Sequence, residues 1–389
     1  MNGLHSLCPH YDAIVIGARC AGAATAFLLA RSGAKVLVVD RQPYGSDTMS
    51  THALMRPAVM QLARWGLIPS MAAAETPAIR STTFHYGNKD VRVDIKPDHG
   101  VDFLLAPRRT VLDPLLVDAA REAGAAVRHR VALSELQFAS NGRVSGASLK
   151  DGSGACVTVR SDIVIGADGR KSTVAQLVKS RVLVEGINAS ALAFGYFADL
   201  KRDGLHWHFA KNAAAGVIPT NSGHCVFAAV PASQFVTTFG GDATRGFLQV
   251  LAVSFPELRA DVAKTTMIGG LRSFGGATSY LRQCHGTGWA LVGDAGYFKD
   301  PLTAHGITDA LRDAQLLSRG IVDGDIRGLE AYQRERDALS MPLMRTTDAI
   351  ASFSWDLDEV KQLHADLSAA MKAEGHHIAS LSPLGPLAA

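Results

Sequence analysis

The chain has five cysteines, at positions 8, 20, 156, 225 and 284, and no two of them form a C-x-x-C pair. An odd set without pairing or metal-ligand spacing gives no disulfide framework and no zinc signature, and it suits a reducing compartment. Charge of one sign is also scarce. Lys and Arg number 39 against 36 Asp and Glu, a net of +3 over 389 residues. The basic residues are scattered rather than striped, which excludes a nucleic-acid partner. No run reaches the ~18 uninterrupted apolar residues of a membrane span. His10, Tyr11 and Asp12 break the N-terminus before a signal-peptide core can form. The expectation is a cytoplasmic protein with no membrane span and no bound metal. Against these absences, 47% hydrophobic and 19% charged residues exclude wholesale disorder and allow a large core. The length suits about two or three domains.

The most informative stretch is "VIGARCAGAATA", residues 15 to 26. Gly17 and Gly22 occupy the first and third glycine positions of a G-x-G-x-x-G dinucleotide fingerprint, and Arg19 stands where the middle glycine belongs. The context is that of a βαβ unit. "YDAIVIG" reads as a buried parallel strand, "AATAFLLARSG" as a helix capped by Gly33, and "AKVLVVD" as a second strand closed by Asp40. Asp40 lies 23 residues after Gly17, near the ~20 expected of an acid that binds a ribose hydroxyl. In such a turn the first glycine permits the bend and the third lets helix and strand approach. The middle position tolerates a side chain that points outward, and an Arg there adds charge near a pyrophosphate. The alternative is that Gly17 and Gly22 merely pack a helix on a strand.

Two distant segments repeat the theme. "DIVIGADGRKSTV" (162 to 174) reads as a strand ending in Asp168-Gly169, with Ser172 capping a helix. "GWALVGDAGYFKDPLTAHGITDALRDAQLL" (288 to 317) reads as a strand ending in Gly293-Asp294, a loop and an amphipathic helix. Each puts an acid and a glycine at the carboxyl end of a strand, where open α/β sheets bind ligands. "HWHFAKNAAAGVIPTNSGHCVFAAV" reads as two strands around the turn "TNSG".

With "RRTVLDPLL", which places Arg109, Leu112 and Leu116 in an R-x-x-L-x-x-x-L register, these segments occur in a familiar order. Over roughly residues 10 to 340 the chain resembles the FAD-dependent aromatic monooxygenases of the para-hydroxybenzoate hydroxylase type and their geranylgeranyl-reductase-like relatives. The resemblance implies an α/β fold in which a Rossmann-like FAD-binding domain with a parallel sheet is interleaved with a β-rich substrate domain and followed by a helical C-terminus. The FAD-binding domain would take residues 10–77, 106–179 and 286–340. The substrate domain would take 78–105 and 180–285, and the C-terminal segment 341–389.

The resemblance also implies site roles. Gly17, Gly22 and Asp40 would hold the ADP half of FAD and Arg109 would lie near its phosphates, where Arg19, the departure from the fingerprint, would add charge. Asp168 and Gly169 would sit by the pyrophosphate, and Gly293 and Asp294 by the ribityl chain. Pro301, Gly306 and Ile307 would run along the isoalloxazine, with a helix N-terminus at Gly306 facing the charge that develops at N1. His305 beside that turn and His52 are the catalytic candidates, and Arg41, Ser46 and Ser50 are further cofactor contacts. "PLTAHGIT" departs from the family's P-x-x-G-x-G-x-N at Ala304 and Thr308. His206, His208, Phe209, Phe227 and Tyr196 are candidate linings of the substrate pocket.

The implied activity is that of a monooxygenase. NADH or NADPH reduces FAD, O2 adds to give a flavin C4a-hydroperoxide, and oxygen passes to an electron-rich aromatic or polyketide-like small molecule. No second glycine fingerprint marks a nicotinamide domain, so the donor docks in the flavin cleft or a separate reductase supplies electrons. A double-bond reductase of the geranylgeranyl type and a non-catalytic flavin-binding protein are the alternatives. A flavin halogenase is disfavoured because W-x-W-x-I-P is absent.

Overall fold

The computed structural model describes residues 7–324 and 326–386. Its first sheet is built on the strand His10–Ile16, which pairs in parallel with Val36–Asp40 on one side and Cys156–Gly166 on the other. Ala126–His129 extends the sheet beyond Val36–Asp40, and Trp289–Leu291 extends it beyond Cys156–Gly166, both in parallel. Ala13 to Ile16 and Val36 to Val39 are all buried, the continuous apolar pattern of strands covered on both faces. The helix Cys20–Arg31 returns across the sheet and packs against the helices Arg109–Glu122 and Gly306–Val322. Close packing fixes its two glycines. A Cβ on Gly17, at φ +109°, would stand 2.4 Å from the carbonyl oxygen of Ala167, and one on Gly22 would stand 1.9 Å from that of Gly17.

The second sheet has seven strands in the order Thr266–Phe274, Ser190–Ala198, Gly223–Pro231, Ala213–Thr220, Leu205–Ala210, Ser81–Tyr86, Lys89–Asp94. The segment read as two strands around "TNSG" forms three. The hairpin at Thr220–Gly223 is there, and a second reversal falls at Lys211–Asn212. Asn212 adopts φ +56°, a left-handed conformation that Asn tolerates without the glycine that usually signals such a turn.

One face of this sheet, with Phe194, Tyr196, Trp207 and Phe227, shares a core with Leu343, Phe353, Trp355 and Leu367 of the C-terminal region. The other face, with Ala193, Phe197, Val217 and Val226, is covered by Phe247, Leu251 and Leu258 from the helices Ala243–Ser254 and Pro256–Val262. A three-stranded sheet of Val182–Glu185, Tyr280–Arg282 and Tyr297–Phe298 links the layers. No break falls at residue 340, because the helix Ile326–Ala351 runs through it. The last helix, Leu357–Ser380, starts at a capping box formed by Asp356 and Glu359. No helix among the described residues is long and apolar enough to cross a membrane.

Candidate active site

A cavity of about 770 Å³ opens at the carboxyl ends of the parallel strands, and Leu192, Phe194 and Phe274 of the seven-stranded sheet close it from above. At one end lie Gly17, Arg19, Asp40 and Arg41, joined by Val131 and Leu133. Arg109, Asp168, Gly169 and Asp294 line the middle. At the far end are Ser50, His52, Pro301, Gly306 and Ile307, with Phe298 and Lys299.

Asp40 is held by the chain itself. Its Oδ2 accepts from Ala18 N at 2.7 Å and its Oδ1 from Gln42 N at 2.7 Å. The carboxylate therefore fixes the phosphate turn to the end of the second strand, at the cavity wall. Arg19 directs its guanidinium to Asp113, at 3.3 Å, and to Ser46 Oγ and the Asp47 carbonyl, each at 3.4 Å. Arg109 binds the same Asp113 carboxylate through two bonds of 2.9 and 3.0 Å. Burial works against the Arg109 charge, but Asp113 more than offsets it and holds the guanidinium protonated.

Asp168 turns its carboxylate back on the following helix. It accepts from Ser172 Oγ at 2.5 Å and from Thr173 N at 2.6 Å, while Ser172 caps the helix through Ala175 N. Burial still pushes the Asp168 carboxyl up. Asp294 is different. Burial pushes it up to about 6, only partly relieved by Arg170. Its side chain faces the cavity, and only its backbone carbonyl is engaged, by Tyr280 Oη at 2.5 Å.

The flavin-side loop is anchored from beneath. Asp300 accepts from Ser190 N and Ser190 Oγ, each at 2.7 Å, which ties the loop to the seven-stranded sheet. Ala304 sits at φ +49°, so the position where the family often has glycine keeps the glycine-like backbone without the residue. From there the helix Gly306–Val322 starts with Gly306 and Ile307 on the cavity wall. Its orphan N–H groups and positive dipole end point into the site.

His52 is 1% exposed and adopts φ +67°. Its Nε2 lies 2.5 Å from Tyr196 Oη, and its buried Nδ1 has no partner among the described residues. Burial, with the Arg109 and Arg108 charges, brings its pKa down to about 3, so the ring is neutral near pH 7.

Several candidates lie elsewhere. His305 is fully buried and does not reach the cavity. Its Nε2 is 2.7 Å from Glu374 Oε2 on the last helix, because the turn that presents Gly306 rotates the preceding side chain away. Gly22 and Gly293 pack beneath the wall, and Ser46 lies in a side crevice with Arg19. None of His206, His208, Phe209, Phe227 and Tyr196 lines the cavity. Phe209, Phe227 and Tyr196 fill the core between the sheet and the C-terminal region, and the two histidines project from the opposite face.

Sequence reading also missed residues that organise the site. Asp113, four residues after Arg109, holds both arginines, and that i,i+4 spacing was its available signal. Lys299 sits on the wall and pairs with Asp309, which Arg312 also binds at 2.9 Å. Glu374, joined to Arg312 at 2.8 Å, is brought in from a segment without any motif.

A protein-family model described as an FAD binding domain matches residues 10–347. The chain belongs to this FAD-binding family. It is an FAD-dependent oxidoreductase. The digeranylgeranylglycerophospholipid reductase of Methanothrix thermoacetophila is 25% identical over 367 residues, covering 87% of this chain and 86% of that protein. Aklavinone 12-hydroxylase DnrF of Streptomyces peucetius is 31% identical over 185 residues, covering 43% of this chain and 37% of that one. The solved structure of the flavin-dependent brominase Bmp2 superimposes with a TM-score of 0.79 at 17% identity, over 96% of this chain and 94% of the brominase. At that identity the likeness is one of fold.

The cavity suits the cofactor this family binds. Gly17 leaves bare backbone at the phosphate turn, the Gly306 helix terminus faces inward, and Asp294 lines the cavity with a carboxylate to which no hydrogen bond is made among the described residues.

Proposed function

We propose that the protein is an NAD(P)H-dependent monooxygenase that oxygenates a compact, electron-rich aromatic or polyketide-like molecule. Bound FAD would supply the redox chemistry, taking two electrons from the nicotinamide and activating O2. Asp40, Arg19 and Arg109 would hold its ADP half, Asp168 and Gly169 would border the pyrophosphate, and Asp294 would take the ribityl hydroxyls. Gly306 and Ile307 would present backbone N–H groups to the flavin edge, where negative charge gathers on reduction.

The observation that carries this reading is the shape of the far end. Once the residues suited to FAD are set aside, the wall includes Leu192, Phe194, Phe274, Phe298 and His52, with the Arg170 guanidinium stacked over Phe274 and Phe298 and Lys299 beside them. That is an aromatic-rich chamber with a cation on its rings, which favours a flat, electron-rich substrate carrying polar groups over a long apolar chain. Neutral His52, fixed by Tyr196, lies against this chamber as a rigid, uncharged part of its wall. We assign the seven-stranded sheet to substrate selection and the parallel sheet with its helices to FAD.

A second reading is a flavin-dependent double-bond reductase, favoured by the alignment with the archaeal reductase along 87% of the chain. The two separate in one assay. The FAD-loaded protein is given NADH or NADPH and a panel of hydroxylated polycyclic aromatics and isoprenoids, with oxygen uptake recorded. Aromatic-stimulated NAD(P)H oxidation with matching oxygen uptake supports the monooxygenase. Oxidation that an isoprenoid stimulates without oxygen overturns it.

A further inference from the structure

The face of the seven-stranded sheet turned away from the cavity carries His85, His206 and His208. His206 and His208 alternate with Trp207, which is cross-strand to Gly216 on the cavity-side register. His85 is the parallel-ladder partner of His208, and the two rings stack at 4.0 Å between centroids.

The hydrogen bonds around these rings leave a conflict. His85 Nδ1 lies 2.7 Å from Asp90 Oδ1, and His206 Nε2 lies 3.0 Å from the Asp203 carbonyl oxygen. A carboxylate and a carbonyl only accept, so both of these outer nitrogens carry hydrogen. A neutral ring has one N–H. The two inner nitrogens, His85 Nε2 and His206 Nδ1, therefore turn lone pairs at each other across 3.0 Å. Such a pair is stable only around a positive centre, either a proton or a metal ion. The third ring decides between them. His208 Nε2 is buried and has no hydrogen-bond partner among the described residues. A shared proton serves two nitrogens, whereas a metal ion serves three.

We propose that His85, His206 and His208 bind one divalent transition-metal ion of the zinc class. One ligand atom from each ring lies within 4.8 Å of the other two. Zinc–imidazole bonds of about 2.0–2.1 Å set ligand nitrogens roughly 3–3.4 Å apart, so the His85–His206 pair already has the required span. His208 turns out of its stack with His85 to complete the set. Asp90 and the Asp203 carbonyl play the outer part, fixing each tautomer so that the ligating nitrogen faces inward. Imidazole nitrogens select zinc, cobalt, nickel or copper over magnesium or calcium. His85 and His206 are only partly buried, which gives the ion a way in. The ion would join strands Ser81–Tyr86 and Leu205–Ala210, whose ligands are 121 residues apart in the chain. It is a tie in the sheet, remote from the flavin cavity, and needs no part in turnover.

The test uses the full chain stripped with a chelator and titrated with Zn2+ by calorimetry. One equivalent should bind and raise the thermal midpoint. His206→Gln and His208→Gln should each weaken binding at least about tenfold, while His99→Gln, in the separate Asp98–His99–His376 cluster, should leave it unchanged. X-ray absorption at the zinc edge of the wild-type complex needs no variant and should show three imidazole ligands. No stoichiometric binding, an affinity untouched by either substitution, or a zinc shell without imidazole would each overturn the proposal.

Discussion

Arg19 reaches across the phosphate turn to Asp113, with Nη1 3.3 Å from Oδ2. Arg109 takes the same carboxylate through two further bonds, and Cys20 Sγ donates to it at 3.1 Å. The residue that replaces the middle glycine of the fingerprint is thus a strut. It leaves the turn along its outer edge and ties it to the helix Arg109–Glu122, so the backbone beside Gly17 stays open.

This geometry separates charge from bulk. Arg19→Gly should fold and bind FAD within a few-fold of wild type, because Arg109 still holds Asp113. Arg19→Glu places like charge against Asp113 and the cofactor phosphates. It should weaken FAD binding at least about tenfold, or about 1.4 kcal/mol. Titration of each apoprotein with FAD, followed by flavin fluorescence, measures both. Equal affinity for Arg19→Glu and wild type would show that the guanidinium does not influence the phosphates.

Asp40 should prove structural as well as cofactor-binding. Asp40→Ala removes the acceptor for Ala18 N and Gln42 N, both at 2.7 Å, and bonds to a charged group contribute about 1.5–3 kcal/mol each. The expected result is a loss of at least about 2 kcal/mol in urea unfolding of the apoprotein, together with weaker FAD binding. Reduced FAD affinity with unchanged apoprotein stability would confine Asp40 to the cofactor.

Much of the nucleotide half was legible because its chemistry is local. The turn glycines, the Asp40 spacing, Ser172 as a cap and the helix start at Gly306 all follow from neighbours in sequence. What escaped depends on distant packing. His305 stands beside the right turn, yet the side-chain direction was set by Glu374, 69 residues on. Alternation along Leu205–Ala210 left its two faces equivalent until pairing with Ala213–Thr220 and Ser81–Tyr86 chose between them. The sequence pattern marks two strands where the fold has three because Asn212 makes its turn without glycine.

His52 should make the protein acid-sensitive. Its pKa of about 3 lies below the ordinary 6.5, so between those values the unfolded chain binds a proton that the folded chain refuses. Its contribution to stability therefore falls as the pH drops below 6.5, by about 2 kcal/mol at pH 5, and stops falling once the pH is below 3. His52→Asn keeps a residue that accepts φ +67° but cannot titrate. Urea unfolding at pH 7 and pH 5 should show a loss smaller by about 2 kcal/mol in the variant. Identical losses would place the ring in a site that accepts a proton.

Glu374 should act as the keystone beneath the flavin loop. Burial opposes its charge, but His305 and Arg312 prevail and hold it down to about 2. Glu374→Ala leaves His305 without its partner and Arg312 with less compensation, which should cost about 3–5 kcal/mol in unfolding experiments. Glu374→Gln, which retains hydrogen bonds, should cost less. FAD affinity should fall in step, because the displaced loop carries Gly306 and Ile307. A loss below about 1 kcal/mol for Glu374→Ala would contradict the role.

The proposed chemistry is tested most directly by turnover of an accepted substrate under 18O2, with the product mass recorded. One labelled oxygen atom should enter the product, and no product should form when oxygen is excluded. A product heavier by two hydrogens, formed equally well without oxygen, would contradict it and make the protein a reductase.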